Sequence, residues 1–185
     1  MALLYAALLG YLFGSLPFAY WFGLMQGKNL MTEESGDLGT LGAWRTLGVV
    51  PGVLVGVLGG MKGLMAVALG EFMARDLNGG LVAGAFAVLG HCYSVWLLGR
   101  GGRGLAPAVG ALFAVKLSLL GAGLLLVGLA YALTRNPNRA VFLAALVFPL
   151  SSLFIGGGMA YLWFGVGVAA PILLRHRPGQ RRSLT

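Results

Sequence analysis

Apolar residues fall into five runs, 2–24, 49–73, 81–98, 105–133 and 140–174, separated by the polar segments 25–48, 74–80, 99–104 and 134–139 and followed by a basic tail, 175–185. About 20 apolar residues are enough to cross a bilayer as a helix. The pattern therefore predicts an all-α integral membrane protein, a polytopic bundle of about 5–7 transmembrane helices forming a single membrane domain over residues 1–185. The first run lacks the basic flank of a signal peptide and others follow it, so it is expected to be a retained helix. Within it, Gly14-Ser15-Leu16-Pro17 should bend or break the helix, because proline removes a backbone donor. In the run 105–133, Lys116 lies about a dozen residues in and is read as snorkelling to an interface. The run 140–174 is interrupted by Pro149 and Gly156-Gly157-Gly158, and should give one crossing plus a shorter or broken helix.

Charge orients the bundle. Lys and Arg concentrate in 25–48, 99–104 and the tail, which predicts an N-terminus outside and these three segments, with the C-terminus, in the cytoplasm. Residues 134–139 carry two arginines and fit neither side cleanly. Composition agrees with lipid as the solvent: 58% of residues are hydrophobic, 10% are charged and the mean hydropathy is +0.87. The net charge of +8 lies in short segments between apolar runs rather than along a soluble face, which argues against nucleic acid. Many of the 32 glycines read as helix-packing residues, as in Gly10-x-x-x-Gly14 and Gly56-x-x-x-Gly60. The single cysteine, Cys92, excludes an internal disulfide, and the scattered His, Cys and carboxylates show no metal-ligand spacing.

Candidate chemistry centres on Gly99-Arg100-Gly101-Gly102-Arg103-Gly104. Glycines leave backbone amides accessible, and arginine forks match phosphate oxygens. An anion cradle and a tight turn with topological arginines are equally open readings of these six residues. The polar segment 25–48 adds Glu33, Glu34 and Asp37 beside Ser35, Gly36, Gly39 and Arg45, a composition suited to a site and equally to a solvated linker. Lys62 falls mid-run without a carboxylate one turn away, which makes it a functional candidate by default. His91 in an apolar run reads more simply as hydrogen-bonded structure.

In order and spacing, several of these pieces resemble the bacterial acyl-phosphate glycerol-3-phosphate acyltransferases, the PlsY family. Gly14-Ser15-Leu16-Pro17-Phe18-Ala19-Tyr20 is similar to the family's opening motif, and residues 35–45, from Ser35 to Arg45, to its first polar motif. Lys62-Gly63 matches a family pair, Gly90-His91 matches the start of the second motif, and residues 99–104 stand at the family's phosphate loop. His176-Arg177 resembles the pair in the C-terminal motif.

The resemblance implies transfer of a fatty acyl group from acyl phosphate to the 1-hydroxyl of glycerol 3-phosphate, giving lysophosphatidic acid for phospholipid synthesis. It implies no metal, cofactor or coenzyme A, a site facing the cytoplasm of the bacterial inner (plasma) membrane, contact with membrane lipids, and a monomer or weak oligomer. Acyl phosphate is already a mixed anhydride, so positioning and charge stabilisation suffice without an acyl-enzyme nucleophile. By the same resemblance the catalytic residues would be His176, Ser35 and Arg103. Arg45, Gly36, Gly39, Arg100, Gly101, Gly102, Gly104, Lys62, His91 and Asn138 would bind substrate and phosphate. The chain departs from the family at Asp37, where asparagine is usual, at Leu41, Gly42 and Gly59, and at Asn138, which stands for a serine. Asp37 would repel phosphate unless Arg45 or Arg100 neutralised it. The alternative to catalysis is a non-catalytic paralogue that binds a phosphate or lipid headgroup.

Overall fold

In the computed structural model, which describes residues 1–33 and 37–176, the first run forms two helices, α1 (Ala2–Ser15) and α2 (Phe18–Met25). Pro17 sits between them at φ −94°, ψ 65°, an inverse γ-turn closed by Phe18 N donating to Leu16 O at 3.2 Å. A polar loop leads to short α3 (Thr40–Leu47), and Gly48 then turns the chain into α4 (Val49–Ala74). The return helix, α5 (Leu77–Cys92), ends in a single 3₁₀ turn at Val95–Leu97. After the glycine loop come α6 (Leu105–Val115), α7 (Leu117–Thr134), α8 (Pro137–Gly156) and α9 (Met159–Arg175).

Among the described residues, five segments are long and apolar enough to span a bilayer, Ala2–Met25, Val49–Ala74, Leu77–Leu97, Leu117–Thr134 and Pro137–Gly156, and two shorter apolar helices, α6 and α9, pack with them. The central helix is α5, which packs on α1, α4, α6 and α9. Small residues allow this: Gly10 and Gly14 lie against the backbone of Ala83 and Ala87, and Gly70 against Gly79. On the far side of α4, Gly63 meets Pro107 and Gly110 meets Gly60. Val67, Val88, Phe148, Phe164, Val168 and Ile172 fill the core beside them, while Leu4, Leu8, Val57, Leu124, Leu125 and Phe154 face outward as a lipid-exposed surface.

The run 105–133 folds as two helices rather than one. It breaks at Lys116, whose backbone is extended (φ −168°, ψ 122°) and whose Nζ donates to Ile155 O at 2.9 Å. There, at an exposed hydrogen bond, the ammonium caps a carbonyl in the last turn of α8, where the helix dipole favours a cation. The run 140–174 similarly divides into α8, of 20 residues, and α9, of 17, at the turn Gly156-Gly157-Gly158. These two breaks settle which end of the bundle residues 134–139 occupy. Asn138 accepts from Arg103 Nη1 at 3.2 Å, so the α7–α8 turn shares one end with the glycine loop. The loop before α3 and the end of α9 lie at that end too, opposite the start of α1.

Candidate active site

The break in α1 leaves Gly14, Ser15 and Leu16 with carbonyls that a continuous helix would have paired, and three side-chain contacts take them up. Lys62 Nζ, on α4, donates to Gly14 O at 3.1 Å and Leu16 O at 2.7 Å, and Ser94 Oγ donates to Ser15 O at 2.6 Å. Tyr11 adds a fourth link through its hydroxyl, which donates to Tyr93 O at 2.8 Å. Lys62 also lies 3.3 Å from His91 Nδ1 and over the Phe18 ring at 5.1 Å, so its ammonium is enclosed by two carbonyls, a ring nitrogen and an aromatic face.

The glycine loop is laid over this platform. Gly99 N donates to Ser94 O at 2.8 Å and Gly102 N to His91 O at 3.1 Å, folding the loop back along the end of α5. At Gly102 the approach is so close that a Cβ would strike His91 Nε2 on one side and the Gly39 backbone on the other. Gly104, at φ 82°, takes the left-handed turn that starts α6. From α9, Arg175 clamps the same loop: its guanidinium stacks on Tyr93 at 4.5 Å, donates to Gly99 O at 3.1 Å and contacts Cys92 O.

Between the loop and the start of α3 lies an open cleft of about 320 Å³, lined by Asp37, Gly39, Thr40, Leu41, His91, Arg103, Gly104, Leu105 and Ala106. The N-termini of α3 and α6 both border it, with the positive ends of their dipoles and no side-chain cap among the described residues. Arg103 stands between them, with Nε 3.2 Å from Asp37 Oδ2. Asp37 Oδ1 accepts from Gly39 N at 3.0 Å, so the carboxylate shapes the turn into α3 as well as pairing the arginine. Its side chain is 8% exposed, whereas Arg103 keeps 34% open to an incoming ligand. A second cleft, on the other side of His91, is lined by the α1–α2 break and the start of α2, by Val55, Gly59 and Lys62 of α4, and by Ser94 and the glycine loop.

His176 follows α9 and is buried near Arg103 and Asp37, although it lines neither cleft. Its Nδ1–H donates to Ile172 O at 2.9 Å, which leaves the Nε2 lone pair as an acceptor in the neutral ring. Burial, the largest effect, lowers its pKa below the ordinary 6.5; the Ile172 carbonyl and Asp37 oppose this and Arg103 adds to it. The ring is therefore neutral, and able to accept a proton, at neutral pH.

Of the residues singled out from sequence, Gly39, Lys62, His91, Gly101, Gly102, Arg103, Gly104 and Asn138 come together around the clefts, with His176 beside Arg103. Arg45 and Arg100 are exposed and line neither cleft. Ser35, Gly36 and Arg177 lie outside the described residues. Asp37 is neutralised by Arg103, not by Arg45 or Arg100. Sequence reasoning missed Arg175 and Ser94; the one available signal was that Arg175 begins the basic cluster containing His176.

A polytopic helical bundle with a cationic, amide-lined cleft at one end belongs to the class of membrane proteins that handle phosphorylated or otherwise anionic ligands at the lipid boundary. Within that class, the chain belongs to the glycerol-3-phosphate acyltransferase family, whose sequence profile matches residues 4–185. The glycerol-3-phosphate acyltransferase of Carboxydothermus hydrogenoformans is 31% identical over 96% of this chain and 90% of its own length. That of Synechococcus sp. (strain JA-3-3Ab) is 36% identical over 100% and 91%. Among solved structures, PlsY (YgiH), an integral membrane glycerol 3-phosphate acyltransferase, superposes in its glycerol 3-phosphate form with a TM-score of 0.81 at 30% identity, covering 96% of this chain and 89% of that one. Its lysophosphatidic acid form gives 0.79 at 29% identity.

Proposed function

We propose that this protein transfers a fatty acyl group from an acyl phosphate to the 1-hydroxyl of glycerol 3-phosphate, at a site facing the cytoplasm of the bacterial inner membrane. The observation that carries this reading is Arg103, part-exposed at the junction of two helix N-termini and oriented by Asp37 and Asn138. Guanidinium and amide donors suit a phosphate dianion and the oxyanion that develops when a hydroxyl adds to the acyl carbonyl. The hydroxyl oxygen bonds to the carbonyl carbon, the C–O bond to phosphate breaks, and the hydroxyl proton ends on the departing phosphate, with His176 Nε2 the nearby acceptor able to relay it. No group on the protein has to be acylated. Lys28, Arg45, Arg100, Arg103, Arg135, Arg139 and Arg175 belong to the site end, against Arg75 and Lys116 at the other, and this imbalance supports a cytoplasmic site.

The test is turnover by the purified, detergent-solubilised protein with palmitoyl phosphate and labelled glycerol 3-phosphate, followed as phosphate release and lysophosphatidic acid formation. Arg103→Ala should lower kcat/KM by at least about a hundredfold, as expected for loss of a transition-state donor. No turnover by the unmutated protein, with glycerol 3-phosphate still raising its Tm, would overturn catalysis in favour of headgroup binding.

A further inference from the structure

We infer that Lys62 is a positioning residue that acts through His91, holding the imidazole with Nδ1 unprotonated so that Nε2–H donates into the cleft beside Gly102 and Arg103. The inference rests on the acyltransferase reading for what the donor meets, an anionic oxygen of the substrate or of the tetrahedral adduct. For the tautomer it rests on the contact geometry and on the ordinary base strengths of an alkylamine and an imidazole.

Lys62 has the sequence profile of a direct phosphate ligand, a lone cation in an apolar run, yet its surroundings assign it otherwise. The side chain is 3% exposed, and its ammonium is enclosed by Gly14 O, Leu16 O, His91 Nδ1 and the face of Phe18. Every one of these neighbours is electron-rich and favours a cation. Between Nζ and Nδ1 only one proton fits on the line of contact, and an alkylamine is ordinarily the stronger base by about four pK units. The proton therefore stays on Nζ, Nδ1 accepts, and the neutral ring carries its hydrogen on Nε2.

That second nitrogen is the one turned toward the chemistry. It faces the Cα of Gly102, His91 lines both clefts, and among the described residues Nε2 has no hydrogen-bond partner. The carbonyl of His91 meanwhile accepts from Gly102 N. One residue thus fixes the loop through its backbone and offers a donor beside it through its ring. Lys62 lines the second cleft but reaches the one that holds Arg103 only through that ring, and Gly59, one turn earlier, offers no carboxylate to hold it elsewhere.

The test uses the full chain labelled with 15N-histidine in micelles. There are two histidines, so His176→Gln assigns both sets of signals. His91 should show an unprotonated Nδ1 and a protonated Nε2 at neutral pH; a protonated Nδ1, or an average of both tautomers, overturns the inference. Lys62→Met should then release the tautomer and reduce kcat/KM about tenfold, the lower edge of the loss seen when the partner that orients a metal-bound histidine is removed. A fall carried by kcat assigns the donor to the tetrahedral adduct, and a rise in KM for glycerol 3-phosphate assigns it to the phosphate. In a His91→Gln background, whose side-chain amide supplies a donor near the Nε2 position without help from Lys62, the same Lys62→Met change should cost less than about twofold. An equal loss in both backgrounds would make Lys62 merely structural. Should Lys62→Met fail to fold, the tautomer of the unmutated protein decides alone. If that tautomer is found while the unmutated protein shows no turnover, the acyltransferase reading fails and the Lys62–His91 arrangement stands.

Discussion

At Asp37 a single carboxylate does two jobs that separate on substitution. Through Oδ1 it accepts the Gly39 amide, and through Oδ2 it pairs Arg103. Asparagine keeps an oxygen for the first and removes the charge from the second. Asp37→Asn should therefore leave the turn intact, lower Tm by no more than about 1 kcal/mol of stability allows for a part-exposed ion pair, and lower KM for glycerol 3-phosphate. The expected change is about threefold to tenfold, or roughly 1 kcal/mol of relieved repulsion toward a phosphate in a partly exposed cleft. Steady-state kinetics on the purified pair of proteins decide it; a fall in kcat/KM would show instead that the carboxylate takes part in turnover. The acid was conspicuous in the sequence, but its partner was not. Arg103 is 66 positions away, and only the folding of two loops onto one bundle end selects it over Arg45 and Arg100.

Among the elements, the glycine loop is held by neighbours on both sides rather than by its own hydrogen bonds alone. Gly102 touches the His91 ring and the Gly39 backbone, so an added methyl must push the loop off its platform. Gly102→Ala should cost turnover on the order of a hundredfold, the usual consequence of displacing a site by about 1 Å, with little change in Tm. Gly121→Ala in α7, whose methyl would meet nothing within 4 Å, should alter neither. Equal behaviour of the two variants in the transfer assay would sink the account of the loop. Elements were legible in sequence where a local cause acts: the α1–α2 break follows from Pro17, and the α8–α9 turn from three glycines. The break at Lys116 was hidden because no proline or glycine stands there. The contact that accompanies it is with the carbonyl of Ile155, 39 residues on. The pairing of Asn138 with Arg103 was hidden for the same reason, since apolar length reports that a helix crosses and not which helices end together.

For the molecule as a whole, the stitched break in α1 has a consequence for how the chain is made. The donors for the carbonyls of Gly14 and Ser15, and the second donor for that of Leu16 beside Phe18 N, lie 46 to 79 residues further along. In hydrocarbon each unpaired carbonyl costs several kcal/mol, so the first segment emerging from the ribosome is a poor lodger in lipid until Lys62 and then Ser94 have been synthesised. Nascent chains truncated before Lys62 should remain extractable from membranes by alkaline carbonate, and those extending beyond Ser94 should not. Early resistance to extraction would show that the first helix settles unaided. The break that builds the site's platform thus also sets a timetable: the amino-terminal segment, first to be translated, is among the last to be committed to the bilayer.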